Sequence, residues 1–287
     1  MQAAILAPDS ELFRRLHWAA VESRCVFFAG LPGVGKSLLL QQTSLIAREA
    51  GRRVSLLQWD VARGAFETPE ILGRYPDVDG VTHAAIRKAA GLWARGTVGA
   101  WDQTHPDRAN ILIGEVPLVG SRLIELVQRH EDAVDMLLAG KDTVFFIPVP
   151  SREVREVIEA ARVREMASPG HEREQANALP HLVQGLWDEV AVVAGALGIE
   201  SGGLASGPGL TFDPDLYAGV YERLLRHRQA VRLDINVVLP VRASVYDALD
   251  AVTDLMPSPD EVAQVMAAVE ARPPAEIERE VADWYRL

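Results

Sequence analysis

The chain has 287 residues, of which 48% are hydrophobic and 24% are charged, a composition that excludes a disordered chain, a collagen and a disulfide-rich miniprotein. Its 40 acidic residues outnumber its 29 basic ones and give a formal net charge of -11, so nucleic acid is not the partner that we expect. The single cysteine, Cys25, excludes an intrachain disulfide and a cysteine-based zinc site. Residues 1–10 lack the pattern of a signal peptide and no apolar run is long enough to cross a bilayer. We therefore expect a cytoplasmic protein that has no membrane partner.

Hydrophobic patterning predicts alternating helices and strands from the N-terminus to residue 150. In chain order these are a helix over 10–22 with Ser10 as its N-cap, a strand over 25–30, a helix over 37–51 that Gly51 ends, strands over 54–60 and 111–117, a helix that opens at Ser121 and breaks near Glu131, and a strand over 143–150. Such alternation predicts an α/β fold with a parallel sheet of about five strands and helices on both faces.

Residues 61–110 are too many for a simple crossover between two strands, so we interpret them as a helical insertion. Beyond the fourth strand the pattern continues, and the predicted elements are a charged helix opening the segment 151–170, a helix over 178–198, a flexible loop over 201–209, a helix over 214–228, a fifth strand over 231–240 and a helical tail that Ser258 caps. We assign one domain to 1–255 and a C-terminal helical extension to 256–287.

The most specific motif follows the first strand. It is a glycine-rich run that matches G-x-x-x-x-G-K-[ST] and leads into a helix, with the residues Gly30, Leu31, Pro32, Gly33, Val34, Gly35, Lys36, Ser37 and then Leu38. Glycines let backbone N–H groups approach phosphates, and the start of the helix adds a favourable dipole. In this motif we expect Lys36 to contact the β- and γ-phosphates and the Ser37 hydroxyl to ligate Mg²⁺. The alternative is a glycine-rich turn that matches by chance.

This segment resembles the Walker A motif of the P-loop nucleoside triphosphatases, and the strand pattern extends the resemblance to about residue 165. Within that superfamily the chain is similar to the branch of nucleotide and small-molecule kinases with an adenylate-kinase-like fold. The stretch from Glu115 to Leu118 also resembles dephospho-coenzyme A kinases. The last hundred or so residues have no counterpart there, so we carry over the superfamily and not that activity.

The resemblance implies roles for two carboxylates, Glu115 and Asp60. Glu115 ends the third predicted strand, where the superfamily places an acidic residue near Mg²⁺, usually an aspartate. Asp60 ends the second predicted strand, where a kinase often places a residue that orients the acceptor hydroxyl or takes its proton. The alternatives are a solvated strand end for Glu115 and a structural cap for Asp60.

Arginines complete the set of candidates. Arg63 follows Asp60 and suits an anionic acceptor, because a guanidinium grips a phosphate or carboxylate with two donors. On the helix that opens 151–170, Arg155 and Arg162 fall on one cationic face with Arg152, which resembles the lid that closes over a transferring phosphate. The alternatives are a surface salt bridge for Arg63 and a solvated helix face for the other arginines. Arg74, Arg87, Lys88, Arg95, Trp93 and Trp101 in the insertion could hold an acceptor or simply pack.

The resemblance thus implies phosphoryl transfer from ATP, with Mg²⁺, to a small acceptor that is anionic or nucleotide-like. Lys36, Asp60, Arg155 and Arg162 would be catalytic, Asp60 and Arg63 would bind the acceptor, and Ser37 and Glu115 would hold the metal. No N-K-x-D motif is present, which argues against a GTP switch. An alternative function is a nucleotide-gated regulatory or assembly ATPase whose C-terminal region binds a protein partner, and a homo-oligomer is left open. A third is a degenerate loop that binds nucleotide without chemistry.

Overall fold

A computed structural model describes residues 5–167, 180–199, 210–239 and 252–287. The strands in these segments are β1 (Cys25–Ala29), β2 (Arg53–Gln58), β3 (Asn110–Val116), β4 (Thr143–Pro150), β5 (Ala230–Ile235) and β6 (Thr253–Asp254). They form one sheet in the order β5-β4-β1-β3-β2-β6, and every neighbouring pair is parallel. The predicted α/β class with a parallel sheet is therefore confirmed. The described segments contain six strands where about five were expected, and the additional one has only two residues.

The helices of the described segments are α1 (Glu11–Glu22), α2 (Lys36–Glu49), α3 (Trp59–Phe66), α4 (Pro69–Arg74), α5 (Ala84–Thr104), α6 (Ala133–Leu138), α7 (Arg152–Ala167), α8 (Pro180–Ala196), α9 (Pro214–Leu224), α10 (Pro259–Glu270) and α11 (Pro274–Ala282). The predicted caps are confirmed: Ser10 accepts from the Phe13 N–H, and Ser258 forms a capping box with Glu261. The loop predicted over 201–209 and the last residues of the 151–170 segment lie outside the described residues. None of the helices just named is both long and apolar enough to cross a membrane.

Alternate side chains of each central strand pack on opposite faces of the sheet. Phe28 stacks on Phe146 within the core that includes α1 and α2, whereas Phe27 stacks on Phe145 within the core that includes α5, α9 and the C-terminal helices. Both faces are therefore covered, which explains why these strands read as continuous apolar runs.

The helix predicted to open at Ser121 is absent up to the break near Glu131, whereas the part predicted beyond that break is present as α6. The segment that follows β3 holds only two short 3₁₀ turns, Val119–Ser121 and Ile124–Leu126, before α6 begins at Ala133. Leu118, Ser121 and Leu123 have φ between 62° and 64°, which no right-handed helix can contain. The apolar residues that suggested a helix face are instead buried as a compact coil over the sheet.

The strand predicted over 54–60 ends two residues early, at Gln58. Trp59 and Asp60 form the first turn of α3 instead. Trp59 is 7% exposed because its ring packs in the main core. Asp60 lies in the first turn of α3, where a negative charge interacts favourably with the helix dipole. Asp60 thus projects from a helix start and not from a strand end.

The C-terminal helices are part of the main core. Both α10 and α11 pack against α5, the long helix of the insertion, and Val262, Met266 and Trp284 are buried there. β6 extends the sheet beside β2, where the Gln58 side-chain amide donates to Asp254 Oδ1 at 2.9 Å. The segment predicted as an extension over 256–287 therefore covers the insertion.

A buried ion-pair network ties α5 to the C-terminal helices. Lys88 Nζ lies 3.0 Å from Glu125 Oε1 and 3.1 Å from Glu280 Oε2. Burial raises the pKa of Glu125, and the charge of Lys88 opposes that rise. The Glu125 carboxylate has room only because its neighbour on α5 is Gly91, on which a Cβ would lie 1.7 Å from Glu125 Oε2.

We expect Gly91→Ala to lower the free energy of unfolding by about 3 kcal/mol, because the new methyl group displaces a buried carboxylate from its partner. The matched control is Gly96→Ala on the same helix, where a Cβ would meet nothing within 4 Å. That substitution should stabilise the protein by roughly 0.5–1 kcal/mol. Urea unfolding of the two variants checks both signs, and equal effects would contradict the role given to Gly91.

Candidate functional site

The glycine loop is defined here as residues 30–37, of which 30–35 connect the carboxyl end of β1 to α2 and 36–37 begin that helix. Gly33 and Gly35 have φ of 81° and 88°, a conformation that residues with a Cβ rarely adopt. A Cβ on Gly30 would lie 2.3 Å from Tyr217 Oη, so this position also requires glycine. Gly35 is the N-cap of α2 and offers no side-chain acceptor to the N–H groups of the first turn. Such a helix start can accept an anion from outside the chain.

The glycine loop lies at the point in the sheet where the order of the strands along the chain reverses. β1 stands between β3 and β4, and the chain continues from β1 toward β2 on one side and from β4 toward β5 on the other. In open α/β sheets the crevice at the carboxyl ends of strands at such a point is the usual place for a ligand. The glycine loop and the end of β3 both border this crevice.

Lys36 is held inside the glycine loop. It is 7% exposed, and its ammonium Nζ donates to the Leu31 carbonyl at 2.8 Å. Burial lowers the pKa of Lys36 to about 8, with Arg162 and Arg155 acting in the same direction and Glu115 and Asp60 opposing them. An ammonium destabilised in this way gains from a nearby anion.

Ser37, in the first turn of α2, lies near Glu115, which is close to the carboxyl end of β3. β1 and β3 pair in parallel with Phe28 opposite Glu115, so Glu115 lies level with the start of the glycine loop. The Ser37 hydroxyl is near enough to the Glu115 carboxylate to favour its charged form and lower its pKa. Burial raises the pKa of Glu115, and the charge of Lys36 opposes that rise. Hydroxyl and carboxylate oxygens are hard ligands of the kind that Mg²⁺ prefers.

Helix α7 lies directly against the glycine loop. Ile158 Cδ1 is 4.0 Å from the position of a Cβ on Gly35, and Glu159 Cγ is 3.7 Å from that of a Cβ on Gly33. Arg162, one turn farther on, acts electrostatically on both Lys36 and Glu115. The cationic face that was predicted for this helix is thus turned, at least in part, toward the glycine loop.

Arg155 is the most buried cation of α7, at 4% exposure. Its Nε donates to Glu159 Oε1 at 2.6 Å, and its guanidinium stacks over the Phe212 ring at 4.1 Å. Its Nη1 is buried and meets no hydrogen-bond partner among the described residues. By contrast, Arg152 donates to the Phe212 carbonyl at 2.9 Å and belongs to the scaffold.

Asp60 and Arg63 lie beside the glycine loop on α3. Asp60 Oδ1 is 3.7 Å from Arg63 Nη2, and Arg63 also pairs with Glu67 on its own helix. The Asp60 carboxylate is 60% exposed and its charge acts on both Lys36 and Glu115. The exposure leaves it accessible to a solute that enters the crevice.

Most of the other candidates in the insertion serve the scaffold. Trp93 and Trp101 are buried, and three cations contact carboxylates, in the pairs Arg74–Glu270, Lys88–Glu125 and Arg95–Asp132. For these residues the packing alternative holds.

Sequence reasoning missed Arg122, because the wrongly predicted helix hid the bend that follows β3. The bend is held by Tyr221, whose hydroxyl donates to the Pro117 carbonyl at 2.6 Å. The charges of Asp60 and Arg63 act on Arg122, which brings it within electrostatic range of these two residues, and Arg87 of α5 is its cationic neighbour. The only signal in the sequence was that Arg122 follows the Glu115–Leu118 stretch closely.

The structure thus brings together six predicted side chains, those of Lys36, Ser37, Asp60, Glu115, Arg155 and Arg162. Arg63 contacts this group through Asp60, and Gly30, Gly33, Val34, Gly35 and Leu38 form the loop and the first turn of α2. Among the described residues no cluster of three or more His, Cys, Asp or Glu side chains could bind a metal alone. Neither a scan against protein-family models nor searches of curated proteins and of solved structures find a match for this chain.

Proposed function

We propose that the protein is a P-loop kinase, which transfers the γ-phosphoryl group of ATP, with Mg²⁺, to the hydroxyl of a small anionic acceptor. The observation that carries the proposal is the convergence of a buried lysine, a serine–carboxylate pair, an exposed aspartate and two arginines on one glycine loop. A scaffold role for the loop would not require this collection of charges around a lysine that is destabilised by its own burial.

The residues fit a nucleotide phosphate group. Backbone N–H groups of residues 33–37 would hold the phosphates, and Lys36 would neutralise charge on the γ-phosphate. Ser37 and Glu115 would hold Mg²⁺, which when bound supplies charge neutralisation to the phosphates. Because the described residues offer a metal so few ligands, phosphate oxygens and water would complete the shell.

The remaining side chains fit the transfer itself. Asp60 would accept the proton of the acceptor hydroxyl, whose oxygen bonds to the γ-phosphorus as the bond from that phosphorus to the bridging oxygen breaks and ADP leaves. Arg155 and Arg162 would stabilise the negative charge that spreads over the transferred group. Helix α7, lying against the loop, would keep water from taking the acceptor's place.

The test is release of ADP from Mg-ATP by the purified protein, alone and with pools of nucleosides, nucleotides, sugars, hydroxy acids and coenzyme precursors. We expect one pool to stimulate release and the phosphorylated product to appear in mass spectra. Slow release that no pool changes, together with nucleotide-dependent growth in molecular mass, would favour the alternative of a nucleotide-gated assembly ATPase. Absence of nucleotide binding would overturn both.

The affinity for ATP should fall as the pH rises above about 8. Burial lowers the pKa of Lys36 to about 8 in the free protein, and bound phosphates favour its charged form. The free protein loses this proton above that pH while the complex keeps it, so affinity should approach a tenfold loss per pH unit and binding should take up a proton. Calorimetry at about pH 7 and pH 9 in buffers of different ionisation enthalpy measures both effects. Lys36→Ala should lack the slope, and equal wild-type affinities at the two pH values would contradict this account.

A further inference from the structure

A second cationic site lies around Gly120, in the bend after β3. A Cβ on Gly120 would lie 2.6 Å from Arg122 Nη1, 3.2 Å from Arg87 Nη1 and 3.6 Å from Glu189 Oε2. Two guanidinium groups from distant parts of the chain thus share one small space with one carboxylate. Gly120 has a φ of 62°, a conformation that glycine adopts without strain.

Both arginines lack a direct ionic partner in the described part of the chain. Arg87 Nη1 donates to the Gly120 carbonyl at 2.7 Å and Arg122 Nη1 to the Val119 carbonyl at 2.9 Å, so the two are held by backbone oxygens. Arg87 Nε is buried without a hydrogen-bond partner among the described residues. Burial and the charge of Arg122 lower the pKa of Arg87 to about 10. Two adjacent guanidiniums arranged in this way are stabilised by an oxyanion that bridges them.

The position of the pair relates it to the glycine loop. The charges of Asp60 and Arg63 act on Arg122, and the charge of Asp60 also acts on Lys36. Asp60 is therefore within electrostatic range of both Lys36 in the glycine loop and Arg122 of the arginine pair. An acceptor whose hydroxyl reaches Asp60 would extend its other end toward Arg87 and Arg122.

Glu189 of α8 is the carboxylate that faces this pair, and the C-terminal segment holds it. Its Oε1 accepts a hydrogen bond from Trp284 Nε1 at 2.6 Å, which leaves Oε2 toward the arginines. Trp284 is 2% exposed and follows α11. The indole therefore restrains the carboxylate and keeps it from moving fully onto the guanidiniums.

We propose that Arg87 and Arg122 form an oxyanion subsite for the phosphate or carboxylate of the acceptor, and that Trp284 keeps Glu189 from filling it. The subsite itself follows from the contacts around Gly120, and only its assignment to the acceptor rests on the proposed kinase function. The C-terminal segment thereby becomes a part of the acceptor site. The substrate class is a hydroxyl compound that carries a compact oxyanion, either a phosphomonoester or a hydroxy acid.

Binding of inorganic phosphate and of malonate, measured by calorimetry on the full chain, tests the subsite and tells the two anion types apart. Arg87→Gln and Arg122→Gln should each weaken binding of the preferred anion about tenfold or more, since each removes a charged donor. Arg53→Gln is the matched control, because Arg53 is exposed at the amino end of β2, away from the crevice. Lys36→Ala separates this subsite from the glycine loop, and in that variant the binding should persist.

The carboxylate gives a test that misfolding cannot imitate. Glu189→Gln should tighten anion binding severalfold, because it removes the competing charge. Trp284→Phe should weaken anion binding severalfold in the protein that retains Glu189 and leave it unchanged in the Glu189→Gln protein, as a double-mutant cycle would reveal.

Binding lost in Lys36→Ala but kept in both arginine variants would overturn the subsite while leaving the kinase proposal intact. Binding lost in the arginine variants of a protein that never turns over ATP would keep the subsite and overturn the kinase. No detectable binding of either anion by the wild-type protein would overturn the subsite outright.

Discussion

Replacing Lys36 by alanine is expected to lower the rate of ATP turnover at least about a hundredfold, the size of the loss when one preorganised charge contact to a transition state is removed. Lys36 is the one lysine that the structure places in the glycine loop, where the charges of Glu115 and Asp60 raise its pKa and those of Arg155 and Arg162 lower it. No neighbouring cation can take over its point charge, because a guanidinium has a different shape and reach. The measurement is ADP release under saturating Mg-ATP.

The control for this variant is Lys141→Ala, which removes an exposed lysine that lies just before β4. It should leave turnover unchanged. Lys36→Ala should also keep the fold, because it removes an ammonium that burial destabilises and whose described hydrogen bond is to the Leu31 carbonyl. Urea unfolding would establish this point. A stable Lys36→Ala protein with undiminished turnover would contradict the proposal. It would mean either that turnover takes place at another site or that the glycine loop is only a structural turn.

The parts of the fold that could be predicted were those that local physics determines. β1 and β4 are unbroken apolar runs, and the caps at Ser10 and Ser258 each satisfy backbone N–H groups with a neighbouring side chain. These features need no knowledge of distant residues, so hydrophobic pattern and cap chemistry were sufficient to find them.

The errors arose where tertiary packing overrides the local pattern. The coil around Leu118 and Leu123 has helix-like spacing of apolar residues. It buries them by adopting positive φ values, which cannot be predicted at leucines from the sequence alone. Residues 59 and 60 continue an apolar strand in sequence and turn into α3 because Trp59 packs in the core. β6 is two residues long and exists only because β2 offers it an edge.

The candidate site also has one part that the local sequence determines and one part that only tertiary packing assembles. The glycine loop is contiguous in sequence, so its motif was visible, and Glu115 could be placed from the end of a recognisable strand. The arginine pair is different, because Arg87 comes from the insertion, Arg122 from a misassigned bend and their carboxylate neighbour Glu189 from α8. Only the folded chain brings these three side chains around Gly120, and no spacing rule links them.

Asp60→Asn is expected to lower phosphorylation of the acceptor by about a hundredfold to ten-thousandfold, the contribution of a positioned general base. Asparagine keeps the shape and the helix position of Asp60 but cannot take a proton from a hydroxyl group. Because Asp60 is exposed and the proposed phosphate contacts come from the backbone of residues 33–37 and from Lys36, affinity for ATP should be little changed. The measurement pairs acceptor phosphorylation with ATP binding in the same preparation.

The matched control is Asp260→Asn, since Asp260 is an exposed aspartate in the first turn of α10, where its role is to favour the helix dipole. If Asp60 serves α3 only in that way, the two variants should behave alike, with small changes in stability and none in phosphorylation. A large loss of phosphorylation in Asp60→Asn alone, at unchanged ATP affinity, would identify Asp60 as the group that activates the acceptor. An equal loss of ATP binding would instead make Asp60 part of the loop's electrostatic balance with Lys36 and Glu115, and the base would have to be sought among the other groups that face the crevice.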